Sequence, residues 1–556
     1  MSDPKDRHDS GVAAGNDSST ARSNRAVEPK NPSRRDAIRY LIGGAVAAAC
    51  PIPASLLAGT PQSATGTPQP GTSSSAGSVA AATTPAKLGS ESNEICHRVR
   101  DGEQFNFPAP AKEYEIIIVG GGPSGLLTSY KLRDTNFLLL EKEPRFGGNA
   151  ISEQWKDQWY STGAAYQMDD PLEALCREIG MPIYRIRSVD AAIVNDKLVP
   201  EFWAGGLWKS SYPDAVKKNF DKFFKDMKAM DIEANKEKLD NMSFAELLKP
   251  YGPELTAWFD NFGPNNWGAR AADTSAYIGA DSVNWGGGVE PDRYTWPGGL
   301  GRISLALSEH MQKLAPERMH NKATVLQVEQ KASKVHVSYI ENGEIMTAAA
   351  KAVVVACPKF IGKKIVKGLP KAQYEAMDEL RYQPYLVVNV CSNQVIYNGS
   401  YDTNIPAPSP IVDFNVADWV INRDNKEVNR PAVLTCYVPR PERERSKILH
   451  DDYCMQLGEQ VVEKVETWFP GAKAKIEEVH IYRRGHPMYV SAPGVMTRVA
   501  PEVRKPLGNI FFAHSDTEGG ISEYSTGLRA AERVTKEVTA ALGKQAARAS
   551  VAVPAV

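Results

Sequence analysis

Three glycines and one acid give the strongest chemical signal in this chain. Gly120, Gly122 and Gly125 have the spacing G-x-G-x-x-G, and Glu141 follows them. In such a pattern the first glycine permits a tight turn, the second lets the backbone approach a pyrophosphate, and the third lets a helix pack closely on a strand. A carboxylate about twenty residues further along can accept hydrogen bonds from a ribose hydroxyl. These residue types and spacings predict a site for a dinucleotide.

The elements that must position these residues can also be predicted. Residues 116–119 form an apolar run typical of a buried parallel strand, and a helix should begin at Ser124. Phe137–Leu140 should form a second buried strand that ends at Glu141. The order strand, glycines, helix, strand and acid is that of a Rossmann-type βαβ unit in an α/β fold. An ordinary strand-to-helix turn is the alternative, but it would require neither the second strand nor the acid.

The composition bounds the class of protein. The chain has 556 residues, of which 42% are hydrophobic and 24% charged, enough to bury a large core and to form two domains. A formal net charge of -1 gives no indication of nucleic acid or of a strongly acidic partner. The 7 cysteines include no C-x-x-C pair, so the sequence predicts no metal site and no disulfide framework, and buried free thiols are expected.

The N-terminal segment has the pattern of an export signal. Arg34 and Arg35 precede a weakly apolar run, residues 40–59, as in bacterial twin-arginine signals. Glycines and prolines in that run make it a poor membrane-spanning helix. We predict that residues 1–59 are the signal region and residues 60–93 a disordered linker. The twin-arginine translocase would then deliver the protein to the periplasm or to the outside of the cell.

Further motifs extend the dinucleotide pattern along the chain. Arg145, Gly147 and Gly148 follow the acid in the pattern R-x-G-G, and a Pro-Gly-Gly turn occurs at residues 297–299. A closing segment of strand, acidic turn and helix spans residues 509–531. In these motifs the chain resembles the flavin amine oxidase superfamily, which includes phytoene desaturase-like and protoporphyrinogen oxidase-like members.

The resemblance covers residues 115–538 and implies FAD as the cofactor rather than NAD. FAD should be held noncovalently, since no cysteine stands where the family forms a covalent bond to the flavin. Val325 is expected on the adenine side. The implied cofactor-binding residues are Gly120, Gly122, Pro123, Ser124, Gly125, Glu141, Lys142, Arg145, Gly147, Gly148, Val325, Asp516 and Ser525.

The resemblance also implies catalytic residues. Lys351 would hold a water molecule beside flavin N5, and Tyr524 would be one of two aromatic rings that face each other in front of the flavin. For the second ring, the matching segment 485–489 offers Tyr489. His514 stands where the family usually has glycine, a departure that weakens the expectation of an amine substrate.

Two domains are expected from the resemblance. The FAD-binding domain would comprise residues 94–170, 296–366 and 500–541. An inserted α+β substrate-binding domain would comprise residues 171–295 and 367–499, and residues 542–556 would be a flexible tail. Within the inserted domain, strands at residues 386–391, 432–438 and 476–483 and a helix at residues 452–469 predict an antiparallel sheet with helices against it.

Residues 215–228 of the inserted domain have the apolar spacing of an amphipathic helix. Packing of this helix on its own domain is favoured. A contact with a membrane and the cover of a substrate entrance are the alternatives.

Three functions remain open, all with bound FAD. The favoured one is oxidation of an amine by hydride transfer to flavin N5, with reoxidation by oxygen. The second is desaturation or isomerisation of a hydrophobic, isoprenoid-like substrate with another electron acceptor. The third is a non-catalytic, FAD-binding assembly factor. For the first two the partner is a small-molecule substrate, and the sequence does not predict the oligomeric state.

Overall fold

The structure of the protein is a computed structural model that describes residues 84–168, 173–286 and 293–551. The predicted signal region, most of the predicted linker and the end of the predicted tail lie outside these residues. Two sheets and the helices around them account for most of the described chain.

The bounds of the elements are as follows. The strands are β1 (Ala86–Ser90), β2 (Lys112–Val119), β3 (Phe137–Leu140), β4 (Ser152–Trp155), β5 (Gln158–Ser161), β6 (Tyr184–Ile186), β7 (Ala191–Val194), β8 (Lys197–Val199), β9 (Arg293–Thr295), β10 (Met319–His320), β11 (Ala323–Lys331), β12 (Lys334–Glu341), β13 (Glu344–Val355), β14 (Tyr382–Ser392), β15 (Asp402–Asn404), β16 (Asp413–Val416), β17 (Ala432–Pro439), β18 (Ile476–Tyr489) and β19 (Ile510–Phe512). The α-helices are α1 (Glu94–Arg100), α2 (Pro123–Lys131), α3 (Glu173–Glu178), α4 (Gly206–Lys209), α5 (Asp214–Ala229), α6 (Lys236–Asp240), α7 (Phe244–Leu248), α8 (Pro253–Asn266), α9 (Ala276–Gly286), α10 (Gly301–Leu314), α11 (Lys359–Ile365), α12 (Lys371–Glu379), α13 (Trp419–Asn422), α14 (Asp451–Trp468), α15 (Ala500–Val503) and α16 (Tyr524–Val551).

A sheet with a parallel core contains the strand that leads into the glycine motif. Its order is β10-β3-β2-β13-β12-β11, and β19 pairs with the last residues of β13. β2 lies parallel to both β3 and β13, and Ile116, Ile117 and Ile118 are fully buried. A strand buried on both faces needs a continuous apolar run, which is the pattern seen in the sequence. The predicted α/β fold class with a Rossmann-type βαβ unit is confirmed.

The other half of this sheet is the antiparallel meander of β11, β12 and β13. Asn342 has φ +52° and Gly343 has φ +84°, the left-handed conformations that a two-residue hairpin between β12 and β13 requires. β13 begins at Glu344, well before the apolar run Val353–Val355 that ends it. The strand is longer because its first half pairs with β12 while its last residues pair with β19.

A second, mixed sheet has the order β1-β18-β14-β17-β16-β15-β7-β8. One of its faces packs on α14: Leu386, Leu434 and Ile481 belong to the same apolar cluster as Val461 and Val465 of the helix. β14, β17, β18 and α14 contain the strands and the helix predicted for this region, so those predictions are confirmed. Because side chains alternate along a strand, the residues between these apolar positions lie on the opposite face of the sheet, away from α14.

Two boundary predictions are wrong. The predicted linker includes Ala86–Ser90, but this segment forms β1 and pairs in parallel with the edge strand β18. The predicted flexible tail begins at residue 542, but α16 continues to Val551. In the first case, the partner strand lies hundreds of residues away, so composition alone gave no indication of pairing.

The helices α4 to α9 surround an apolar cluster rich in aromatic rings. α5 buries Phe220, Phe223 and Met227 in this cluster, so the favoured prediction, packing on its own domain, is confirmed. Within the described residues no helix combines the length and the apolar character that crossing a membrane requires.

Candidate functional site

The glycine loop between β2 and α2 meets the steric demands of its motif. Gly120 has φ +105°, a conformation that favours glycine, and a Cβ on Gly125 would lie 1.8 Å from the Gly120 carbonyl oxygen. Around Gly122, the nearest described atom to an added Cβ is Gly148 Cα, at 3.7 Å. Gly120 therefore makes the turn and Gly125 allows the close helix packing. Gly122 leaves open the space that a pyrophosphate needs beside the backbone.

The R-x-G-G motif lies against this loop. The backbone N–H of Gly147 donates to the Gly121 carbonyl at 2.8 Å, and Gly147 has φ +128°. A Cβ on Gly148 would lie 3.0 Å from Gly122 Cα, so the two glycines approach each other backbone to backbone. The two motifs thus form one cradle without side chains, although a chain segment separates them.

Glu141 is buried beneath the glycine loop, at the end of β3. Its Oε2 accepts the Gly121 N–H at 2.6 Å, and its Oε1 accepts the Glu143 N–H at 2.8 Å. Burial raises the pKa of this carboxyl group, against the lowering effect of the two backbone donors. The Glu141 carbonyl accepts the Ala323 N–H at 2.8 Å, which brings the start of β11, and with it the buried Val325, to the same end of the sheet.

Two predicted cofactor ligands have protein partners in this structure. Arg145 Nη2 lies 2.8 Å from Glu153 Oε1, and Lys142 Nζ donates to the Ser92 carbonyl at 2.9 Å. Both residues flank the cradle in sequence. Their contact with FAD stays a prediction.

Two helices begin at the cradle. α2 starts at Pro123 and α16 at Tyr524, and Ser124 Oγ donates to the Gly527 carbonyl at 2.8 Å. Ser525 is buried, and its hydroxyl donates to Glu523 Oε1 at 2.8 Å. Unpaired backbone N–H groups at helix N-termini favour anions, so this junction is a suitable place for the phosphates of a dinucleotide.

A buried ionic network joins the ends of β13 and β19. Asp516 Oδ2 accepts the Lys359 backbone N–H at 2.8 Å and the Tyr382 hydroxyl at 2.7 Å. The Lys359 ammonium lies 3.2 Å from Asp516 Oδ1, and His514 Nδ1 lies 3.1 Å from Oδ2. Burial alone would raise the pKa of Asp516, but His514 and Lys359 together hold it well below its usual range.

Lys359 was not recognised as part of the site from the sequence. The available signal was its position, directly after the Cys-Pro that ends the apolar run of β13. A lysine at the carboxyl end of a central parallel strand lies where ligands of α/β sheets bind.

His514 adopts a backbone conformation that side chains rarely take. Its φ is +119° and its ψ is 156°, a region occupied almost only by glycine. This explains physically why glycine is expected at the position. The strain is held by local bonds, because the His514 carbonyl accepts both the N–H and the hydroxyl of Thr517, at 3.0 and 2.7 Å.

The two predicted aromatic rings lie in different apolar clusters. Tyr524 is buried, with its hydroxyl 3.3 Å from Ser304 Oγ of α10. Tyr489 is buried in the cluster on the other side of the parallel sheet, and its hydroxyl donates to the Gly520 carbonyl. Tyr489 thereby contacts the loop before α16. The two rings therefore do not face each other as a pair in the described part of the chain.

Lys351 is not placed where the resemblance implied. It lies within β13, and its ammonium pairs with Glu115 Oε1 at 3.1 Å, with 54% of the lysine side chain exposed. Its neighbours Ala350 and Ala352 pair with Tyr114 and Ile116, in the middle of β2. The glycine loop begins at Gly120, four residues beyond Ile116 and therefore roughly 13 Å away. The prediction that Lys351 holds a water at flavin N5 is contradicted by this geometry.

The second sheet turns a buried polar face away from α14. Asn389 and Gln383 of β14, Asp402 of β15, and Asp413 and Asn415 of β16 are all buried. Each of them has one side-chain polar atom without a hydrogen bond in the described residues. Such atoms are costly in a closed core, so this face is suited to a polar ligand.

The same face meets the cradle. The Tyr437 hydroxyl donates to the Gly163 carbonyl at 3.1 Å, and a Cβ on Gly163 would lie 2.0 Å from the Asn149 carbonyl oxygen. Asn149 directly follows Gly148. This face was not recognised from the sequence. Its available signal was the alternation of Asp413 and Asn415 with Phe414 and Val416 in β16.

Comparison with known proteins identifies relatives of this architecture. The profile of the family described as "Flavin containing amine oxidoreductase" matches residues 123–535. Amine oxidase [flavin-containing] B of Bos taurus is 25% identical over 471 residues, covering 77% of this chain and 87% of that protein. Oxidoreductase PigB of a Serratia strain is 23% identical over 501 residues, covering 75% and 74%.

Solved structures show the same fold. Wild-type putrescine oxidase bound to putrescine has a TM-score of 0.60 and 18% identity, and the alignment covers 77% of this chain and 99% of that one. Cyclohexylamine oxidase of Brevibacterium oxydans has a TM-score of 0.58 and 16% identity, with 77% and 99% covered.

The residues of the cradle fit FAD. The open space at Gly122, the acid at Glu141 and the two converging helix N-termini supply what a pyrophosphate and a ribose require. Residues 485–489 and 509–531 contain no cysteine for a thioether bond, in agreement with noncovalent FAD. The family profile spans most of the chain. The chain therefore belongs to the flavin-containing amine oxidoreductase family and is an FAD-dependent oxidoreductase.

Proposed function

We propose that this protein oxidises an amine. The observation that carries the proposal is the buried polar face of the second sheet, where Asp402 and Asp413 lie among amides rather than among apolar side chains. A cation is favoured beside buried carboxylates, whereas an isoprenoid chain would leave them desolvated and unpaired. The names of several relatives, among them a flavin-containing amine oxidase and a putrescine oxidase, support the same conclusion.

FAD, when bound, accepts the hydride that leaves the carbon next to the amine nitrogen. The residues of the chain would bind and orient the substrate for this step. Tyr437 and Tyr385 lie on the same side of the sheet as the two acids: their rings are 6.1 Å apart, and the Tyr437 hydroxyl donates to the Gly163 carbonyl beside the cradle. Burial raises the pKa of both phenols well above the usual value, so they stay neutral hydrogen-bonding groups.

An anaerobic screen of flavin bleaching tests the proposal. Purified FAD-loaded protein is mixed with primary amines, amino acids and isoprenoids, and the loss of flavin absorbance is followed. We expect bleaching by amines, and formation of hydrogen peroxide once oxygen is admitted. Bleaching by isoprenoids with no response to amines would overturn the amine proposal and favour a desaturase.

We further propose that the protein is exported by the twin-arginine route. Arg34 and Arg35 before a weakly apolar run support this, and transport in the folded state suits a protein that must close around FAD first. Replacement of both arginines by lysine should leave a flavin-loaded precursor in the cytoplasm. Unaltered export of that variant would contradict the proposal.

A further inference from the structure

Asp402 and Asp413 occupy one face of the strand pair β15 and β16. In the antiparallel register, Asp402 pairs with Asn415, Thr403 with Phe414, and Asn404 with Asp413. The Phe414 ring packs in the cluster with α14, so Asp402 and Asp413 face the opposite way. Residues in this diagonal relationship lie roughly 7–8 Å apart, a distance that a flexible cation can bridge.

Ion pairs and hydrogen bonds from the protein satisfy only some of the oxygen atoms of these two carboxyl groups. Arg293 binds Asp190 through both of its terminal nitrogens, at 2.6 and 3.2 Å, and forms a longer ion pair with Asp402, with 3.7 Å between Nη1 and Oδ2. Asp413 Oδ2 accepts a hydrogen bond from the neutral Asn265 amide at 2.5 Å. In the described residues, Oδ1 of Asp402 and Oδ1 of Asp413 accept no hydrogen bond.

The electrostatic consequence is that both carboxyl groups are costly to ionise unless a cation lies beside them. Burial raises the pKa of Asp413 to about 7, and Asp190 adds to that rise. Burial, with the charges of Asp190 and Asp413, also raises the pKa of Asp402 well above its usual value. Nothing in the described part of the chain arranges three or more acidic, histidine or cysteine side chains to hold a metal ion. An organic cation is therefore the ligand that the chemistry favours.

Asp413 lies one strand nearer than Asp402 to β17, the strand that contacts the cradle region through Tyr437. It pairs across strands with Tyr437, whose hydroxyl binds Gly163 beside the cradle, whereas Asp402 belongs to the next strand out. Across the sheet, the order is thus Tyr437 on β17, then Asp413 on β16, then Asp402 on β15. A substrate with one amine at the flavin and a second charge further along its chain would match this order.

We propose that Asp413 and Asp402 bind the distal ammonium of a diamine or polyamine, so that the protein prefers substrates with a second positive charge. The proposal rests on the amine oxidation proposed above. Binding is purely ionic: the distal nitrogen stays protonated and no bond forms or breaks there. A charge-assisted hydrogen bond of this kind contributes about 1.5–3 kcal/mol, or roughly 10- to 100-fold in affinity.

A matched pair of substrates tests this inference. 1,4-Diaminobutane and n-butylamine have the same carbon chain and differ only in the distal amine. Stopped-flow reduction of the flavin without oxygen gives an apparent Kd and a limiting rate for each. We expect the wild type to bind the diamine at least about 10-fold more tightly. Equal apparent Kd values for the two amines in the wild type would overturn the inference while leaving amine oxidation intact.

Substitutions of Asp413 and Asp402 test whether these two residues cause the preference for the diamine. Asp413→Asn and Asp402→Asn should each bring the ratio of the two Kd values towards one, and Asp413→Glu should retain part of the preference. Asp378→Asn, which removes an exposed partner of Lys363, is the control and should keep the wild-type ratio. FAD content and melting temperature verify folding. A diamine preference that survives the Asp413→Asn/Asp402→Asn double substitution would refute the assignment to these acids. Failure of every amine to bleach the flavin would instead refute the proposed function.

Discussion

Lys359 and Asp516 form a fully buried ion pair, with 3.2 Å between Nζ and Oδ1. Lys359 follows the end of β13 and Asp516 the end of β19, two parallel neighbours. The ammonium also donates to the carbonyls of Ala513 and Cys357, at 2.6 and 2.7 Å. The pair therefore holds together the two loops that adjoin the glycine loop and the start of α16.

Lys359→Met should destabilise the protein by about 3–5 kcal/mol, because it leaves Asp516 as a buried charge without its cation. Thermal unfolding of the FAD-free and FAD-loaded forms measures the loss. Lys351→Met is the matched control: that ion pair is half-exposed on both sides and should contribute about 1 kcal/mol or less.

The Lys351→Met variant also tests whether Lys351 acts beside the flavin. Because Lys351 lies beside the middle of β2, roughly 13 Å from the glycine loop, and is paired with Glu115, Lys351→Met should leave the rate of flavin reoxidation by oxygen at the wild-type value. Reoxidation is followed by stopped-flow absorbance after reduction. A large slowing would show that Lys351 acts at the flavin and would contradict its position beside Glu115.

Two glycine substitutions should separate cofactor binding from folding. Gly122→Val adds its side chain to open space beside Gly148, so the chain should fold but lose FAD. Gly125→Ala places a Cβ 1.8 Å from the Gly120 carbonyl oxygen, so it should lower the stability even of the FAD-free protein. Flavin absorbance and thermal unfolding of both variants check the contrast. Full FAD occupancy in Gly122→Val would exclude this position from the cofactor site.

His514 offers a test of backbone strain. His514→Gly and His514→Ala both remove the imidazole, but only glycine accepts φ +119° without strain. We expect the glycine variant to be more stable than the alanine variant by about 1–3 kcal/mol. Denaturant unfolding at constant FAD saturation compares them. Equal stabilities would show that the segment relaxes to another conformation.

The pH dependence of stability should report on Asp413. Burial raises the pKa of Asp413 in the folded protein to about 7, above its unfolded value of 3.8. The folded state therefore binds the proton more tightly, and this contribution is fully present below pH 3.8 and is lost as pH rises through about 7. Asp413→Asn should gain stability over the wild type at pH 8 and lose that advantage at pH 5. Melting temperatures without substrate measure the difference, and a constant difference across this range would contradict the raised pKa.

Short-range sequence patterns were sufficient to predict the part of this protein that binds the cofactor. The apolar run of β2, the spacing of Gly120, Gly122 and Gly125, and the second strand before Glu141 lie close together in the chain. Local sterics and periodicity specify such a unit, so its fold and its place in a family of FAD enzymes could be predicted.

The tertiary structure decided the features that depend on distant pairing. Lys351 is exposed and Lys359 is buried because β13 starts earlier than its apolar run suggests and ends against β19. β1 pairs with β18 across hundreds of residues, and the acids of β15 and β16 share a face only through their register. A side chain's face and burial follow from which strand lies beside it. That partner is set by the packing of the whole chain and not by neighbouring residues.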